Sequence, residues 1–243
     1  MTDTKADIIA RLRKNILPTQ GFKTILNNMD VDAGLGPMKN AFPNHTFPLG
    51  AVHEFICSSL EDAAVTHGFI NGLLAPLMQK GGACMWIGNS QNIFPPALKS
   101  FGIAPEQIIF IGVEKEKEIL WTIEEALKCE GLAAVIGEIK ELSFTASRRL
   151  QLVVEQSHGT GFIVRHKARN LNTTACLTRW KISSLPSELE ENMPGVGFPR
   201  WNVDLQKIRN GKPGSWQIEF IEGRFRHVYK TVSLPALQKK KTG

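Results

Sequence analysis

The sequence is poor in several features that would assign it a class at sight. It has no apolar run of about 18 residues, the length a membrane-crossing helix needs, and no secretory leader pattern. A soluble, cytoplasmic protein with no membrane partner is expected. Its four cysteines, Cys57, Cys84, Cys129 and Cys176, lie far apart, and no Cys-x-x-Cys or His-paired spacing occurs. That spacing argues against a disulfide framework and against a structural zinc site on cysteines, and reads as reduced core cysteines. His53, His67 and His166 have no nucleophile motif around them and no second ligand at helical spacing, so structural, hydrogen-bonded histidines and no metal are expected.

The most informative lack falls in Val52–Thr66, which reads as a short apolar strand, a tight connection and a helix start. An α/β nucleotide-binding protein carries its phosphate loop at such a place. That loop needs glycines for close backbone approach, a lysine for the phosphates and a hydroxyl for magnesium. Here Cys57 stands near the first glycine position, Asp62 at the second, Ala63 at the lysine and Ala64 at the hydroxyl. Ser59 is a natural N-cap, with Glu61 and Asp62 in the first turn. The chain's own side chains would therefore take the helix N-terminus, and two carboxylates there would repel a triphosphate.

Among what is present, charge is unevenly placed. Residues 1–142 carry 12 Lys/Arg against 16 Asp/Glu, and residues 143–243 carry 17 against 7. The basic last hundred residues suit a polyanion or an acidic partner, although a solvated basic face gives the same count.

Along the chain, residues 5–17 place Ile8, Ile9, Leu12 and Ile16 on one helical stripe ended by Pro18. An arm rich in Gly, Pro and Asn follows to residue 46. From Phe47, apolar strands are expected at 52–56, 84–87, 108–113, 132–136 and 161–164, with helices at 61–79, 115–129 and 143–157. Short apolar strands alternating with amphipathic helices mean an α/β fold, an open and mainly parallel sheet covered on both faces. After Asn172 the helices stop. Segments 174–183, 200–206, 216–221 and 224–230 read as antiparallel strands added at one edge, two of them joined by the turn at 209–214. This divides the chain into a helix and arm (1–46), a core (47–183), a hairpin extension (184–235) and a basic tail (236–243).

Several residue runs resemble the ImuA family, the SulA- or RecA-like proteins of SOS mutagenesis cassettes. They are Phe47-Pro48-Leu49-Gly50-Ala51-Val52-His53-Glu54, Leu120-Trp121-Thr122-Ile123-Glu124-Glu125-Ala126-Leu127, Ala133-Ala134-Val135-Ile136-Gly137-Glu138, the stretch from Leu142 to Leu152 and Gly211-Lys212-Pro213-Gly214-Ser215-Trp216. The Thr-Ala-Ser-Arg-Arg-Leu-Gln-Leu part of the fourth is the most specific, and together they cover roughly residues 45–220. The resemblance implies a RecA-like core that has lost hydrolysis and holds no cofactor. Where active relatives carry an acidic pair with the water-activating glutamate, this chain has Gly88-Asn89-Ser90-Gln91, and serine cannot act as that base. Glu138 follows a strand that leads, in active relatives, to a magnesium-associated aspartate one place earlier. Implied partners are the cassette's inactive, ImuB-like Y-family polymerase homologue, and RecA on single-stranded DNA. A direct single-stranded DNA binder, a SulA-type division inhibitor and a residual ATPase are the alternatives.

Candidate partner or DNA contacts are cationic. Arg148 and Arg149, on the helix from Ser143, fit a structural salt bridge and a partner contact equally. Arg165, Lys167 and Arg169 form a cationic loop after the last expected parallel strand, suited to backbone contact but without an aromatic for stacking. Arg200, Lys207, Arg209, Lys212, Arg224 and Arg226 interleave with Trp201 and Trp216, as nucleic-acid contacts or a protein hot spot would. Taken singly, each tryptophan reads better as core.

Overall fold

The computed structural model describes residues 35–79, 81–89, 94–167, 171–187 and 197–228. The expected helix at 5–17, most of the arm, Ser90 and Gln91, Arg169 and the tail from 236 lie outside the described residues.

One nine-stranded sheet organises the chain, in the order β3-β2-β4-β5-β1-β6-β7-β8-β9. Its strands are β1 (Val52–Cys57), β2 (Ala83–Gly88), β3 (Ile108–Gly112), β4 (Leu132–Ile139), β5 (Gly161–His166), β6 (Thr178–Leu185), β7 (Arg200–Ile208), β8 (Gly214–Ile221) and β9 (Arg224–His227). The helices are α1 (Leu60–Met78), α2 (Glu116–Leu127) and α3 (Phe144–Ser157). Among the described residues, no helix is long and apolar enough to cross a membrane. The alternation of short apolar strands with amphipathic helices thus yields the expected α/β sheet, parallel from β3 to β6 and antiparallel from β6 to β9.

One pairing differs from expectation. Residues 174–183 read as antiparallel, yet β6 runs parallel to β1 and is antiparallel only to β7. The reversal happens earlier, in the chain between β5 and β6. Asn172 Nδ2 donates to Leu142 O at 2.8 Å, the Ala175 N–H to Ser147 Oγ at 2.9 Å and the Leu177 N–H to Val52 O at 2.8 Å. This return segment satisfies its backbone against α3 and β1, so β6 starts again at the same end as β1.

Strand alternation divides the interior into two layers. His53, Phe55 and Cys57 of β1 share a face with Trp86, Ile136, Phe162 and Val164, and α1 covers that face. Val52, Ile87, Val135 and Ile163 point to the opposite face, covered by α2 and α3. The first layer is aromatic, with Trp180 fully buried and stacked on Phe55 at 6.3 Å and 10°. On α1, Gly72 permits close approach of the antiparallel half, because a Cβ there would stand 2.5 Å from Phe225 Cζ.

The arm is more ordered at its end than its composition suggests. Residues Gly36–Ala41 and Pro43–His45 form two 3-10 helices, and Leu35, Met38, Ala41 and Phe42 enter the same aromatic layer. Apolar residues spaced through a Gly/Pro-rich stretch need no long helix to be buried. Cys57, Cys84 and Cys176 are buried, but Cys129 is exposed, contrary to the reading of all four as core. Burial pushes the Cys57 thiol up to about 11 and Cys176 up to about 12.

Candidate functional site

In open α/β sheets, ligands meet the carboxyl ends of the parallel strands. At that end β1 runs through Cys57 into Ser58 and Ser59, and α1 begins. The Ser59 side chain accepts from the Asp62 N–H at 3.0 Å, and Asp62 Oδ2 accepts from the Ser58 N–H at 3.0 Å. Two backbone donors of this turn, the N–H groups of Ser58 and Asp62, are therefore engaged by the chain's own side-chain oxygens, a reciprocal cap one residue offset from the usual box. Ala63, at the lysine position, is buried, while Ala64, at the hydroxyl position, is exposed.

Beside this turn three elements converge. Period-two alternation sends Trp86 of β2, Glu138 of β4 and His166 of β5 to the face covered by α1, where His67 lies on the second turn. Trp86 Nε1 donates to Glu138 Oε1 at 2.7 Å, and His166 Nε2 lies 3.0 Å from Glu138 Oε2. His67 Nε2 is 3.3 Å from Glu138 Oε1 but lacks the alignment of a hydrogen bond, so this buried nitrogen has no such partner among the described residues. Gly88 makes room for the carboxylate, since a Cβ on it would stand 2.9 Å from Glu138 Cβ. One ligand atom from each of His67, Glu138 and His166 lies within 4.8 Å of the others. From the sequence these histidines read as separate structural residues, and the structure brings two of them, His67 and His166, to one carboxylate. They sit 99 positions apart, and no local spacing signals their meeting.

His53 follows the structural reading. Its Nε2 lies 2.9 Å from Pro48 O, which can only accept, so Nε2 carries the proton. Nδ1, 2.8 Å from Thr178 Oγ1, then accepts from that hydroxyl, which itself accepts from Trp180 Nε1 at 2.7 Å. Burial lowers the His53 pKa to about 3, against the smaller opposing effect of the Pro48 carbonyl.

The opposite face holds a buried ionic network. Glu54 receives Arg165 Nη1, Arg179 Nε and Thr174 Oγ1, each at 2.8 Å, and Arg165 Nη2 reaches Glu141 at 3.2 Å. This corrects the loop reading of Arg165. It lies inside β5, is fully buried and is committed to carboxylates, so it is not available to a polyanion. Of its expected loop neighbours, Lys167 is exposed and Arg169 lies outside the described residues.

The other cations divide similarly. Arg148 and Arg149 are both exposed, and Arg149 pairs with Glu124 of α2. Arg200 bonds Glu219 at 2.9 Å, Lys207 donates to Thr174 O at 2.6 Å and Arg209 to Ala175 O at 3.2 Å. Desolvation lowers the Lys207 pKa. These three half-buried cations tie β7 and the turn after it to β8 and to the segment before β6. Lys212 and Arg224 are exposed, as is Arg226, which pairs with Glu222 at 3.1 Å. Trp201 is buried and Trp216 packs partly against the core.

No protein-family model matches the chain. Two proteins named Protein ImuA, from Caulobacter vibrioides strains NA1000 / CB15N and ATCC 19089 / CIP 103742 / CB 15, are each 34% identical to it over 205 residues, which is 79% of this chain and 84% of theirs. With that likeness running through most of both chains, the protein belongs to the ImuA family, associated with the SOS mutagenesis cassettes.

Proposed function

We propose that this protein is a non-catalytic, cytoplasmic accessory of SOS-induced, error-prone translesion synthesis. It acts as an adaptor for the cassette's inactive Y-family polymerase homologue, with RecA on single-stranded DNA as a second partner. The observation that carries the loss of catalysis is the self-capped turn. The Ser59 and Asp62 side chains take two of the N–H groups at that turn, and the segment from Cys57 to Ala64 has neither a lysine nor a glycine.

What supports docking is the exterior. β3 is an edge strand with Ile109 and Phe110 exposed, Trp121 of α2 is 62% exposed, and Phe144 and Leu152 of α3 are also exposed. An edge strand with apolar side chains is a surface proteins ordinarily cover. By contrast, four of the cations expected at a nucleic-acid face, Arg165, Arg200, Lys207 and Arg209, are held by partners within the fold, which favours the adaptor over direct DNA binding.

Two measurements test the reading. Calorimetric titration with ATP and magnesium should give no binding heat, and an affinity abolished by Glu138→Ala would restore the ATPase alternative. The immobilised polymerase homologue of the same cassette should capture the purified protein. Failure of capture, with a salt-dependent shift of single-stranded oligonucleotide in its place, would make the protein a DNA binder instead.

A further inference from the structure

We propose that His67, Glu138 and His166 form a binding site for a first-row divalent transition metal, with Zn2+ as the natural probe. This goes beyond the adaptor reading and does not depend on it.

The donor set is two imidazoles and one carboxylate, which suits zinc and its neighbours and not magnesium or calcium. Geometry agrees with the chemistry. Ligands about 2.0–2.1 Å from a tetrahedral zinc stand about 3.3 Å from one another. The two nitrogen–oxygen separations here are 3.3 Å and 3.0 Å, one to each oxygen of Glu138.

The second observation is independent of proximity. His67 is 7% exposed, and its Nε2 points at the carboxylate without a hydrogen-bond alignment. A buried imidazole nitrogen without such a bond is costly unless something accepts its lone pair. A cation between His67 and Glu138 would do so and would also balance the buried carboxylate charge.

The supporting shell is already in place. Trp86 Nε1 holds Glu138 Oε1 at 2.7 Å and so orients the carboxylate, as outer-shell donors do at metal centres. The His166 side chain is 22% exposed, giving an entry path and room for water on the remaining positions. A metal here would tie α1 to the ends of β4 and β5 beside the self-capped turn.

The test uses the full chain, stripped by chelator and dialysed. Competition with a chromophoric chelator should show one Zn2+ per chain, and the melting temperature should rise by about 5–10 °C at free Zn2+ near 100 times Kd. Millimolar Mg2+ should produce no such rise. Affinity should fall about 100-fold or more in the His67→Gln/His166→Gln double variant. Should that variant not fold, judged by its metal-free circular dichroism, Glu138→Gln serves in its place, because it retains an oxygen for Trp86. Co2+ should give visible ligand-field bands without a thiolate charge-transfer band. The proposal is overturned if the unaltered chain binds no Zn2+, if the variants bind it equally well, or if cobalt shows thiolate ligation by the cysteines.

Discussion

Glu54→Ala is expected to destabilise the protein by about 3–5 kcal/mol, a large share of the roughly 5–15 kcal/mol that holds a typical domain together. The reason is what the substitution leaves behind. Arg165 is fully buried, and Glu54 is its buried partner; Glu141, a second carboxylate 3.2 Å from it, has a side chain 54% exposed. Arg179 and Thr174 also lose their bonds to Glu54. A charge stranded in the interior costs far more than the pair contributes by forming, because both ions lose hydration when buried. Urea denaturation should show a lower midpoint with an unchanged slope. Replacing both partners, Glu54→Met with Arg165→Met, should recover much of the loss. If the double substitution proved as damaging as the single one, stranded charge would not be the cause.

Acid should weaken the fold through His53 by about 2–3 kcal/mol between pH 7 and pH 4.5. Its folded pKa, about 3, lies below the ordinary histidine value of 6.5 because the ring is buried, so the unfolded chain takes up the proton first as pH falls. The stability associated with a neutral His53 is complete above about pH 6.5 and is lost progressively towards pH 3. Protonation would also place a second N–H against Thr178 Oγ1, which already accepts from Trp180. Urea midpoints across this range, compared between the unaltered protein and His53→Gln, isolate the effect. The variant should be less stable at pH 7 but have a flatter pH profile. Parallel profiles would assign the acid sensitivity to other groups.

Legibility in the sequence followed the range of the interactions. The strands β1 to β5 and all three long helices could be read because their signals are local: apolar runs, helical stripes, and Ser59 and Ser143 as caps. Each of those serines does accept a bond from the N–H three residues on. The lack of glycine and lysine between Cys57 and Ala64 was legible for the same reason, since a residue type is either present at its position or not. The direction of β6 was not legible. It depends on where the return segment at 172–177 finds partners for its backbone, and those partners are more than twenty residues away.

The cations mark the same boundary. Composition counted Arg165, Arg200, Lys207 and Arg209 among candidate contacts, and nothing local distinguishes a surface arginine from one buried against a distant carboxylate. Arg165 meets Glu54 across 111 positions because two adjacent parallel strands bring those residues to one face.

The amino-acid sequence by itself determined the fold class, the family and the lack of glycine and lysine between Cys57 and Ala64, each written in residue types at short range. The tertiary structure alone decided that His67, Glu138 and His166 face one another and that Glu54 holds two arginines. Strand order and the alternation of side chains across a sheet set those meetings, and neither is a property of any single stretch of chain.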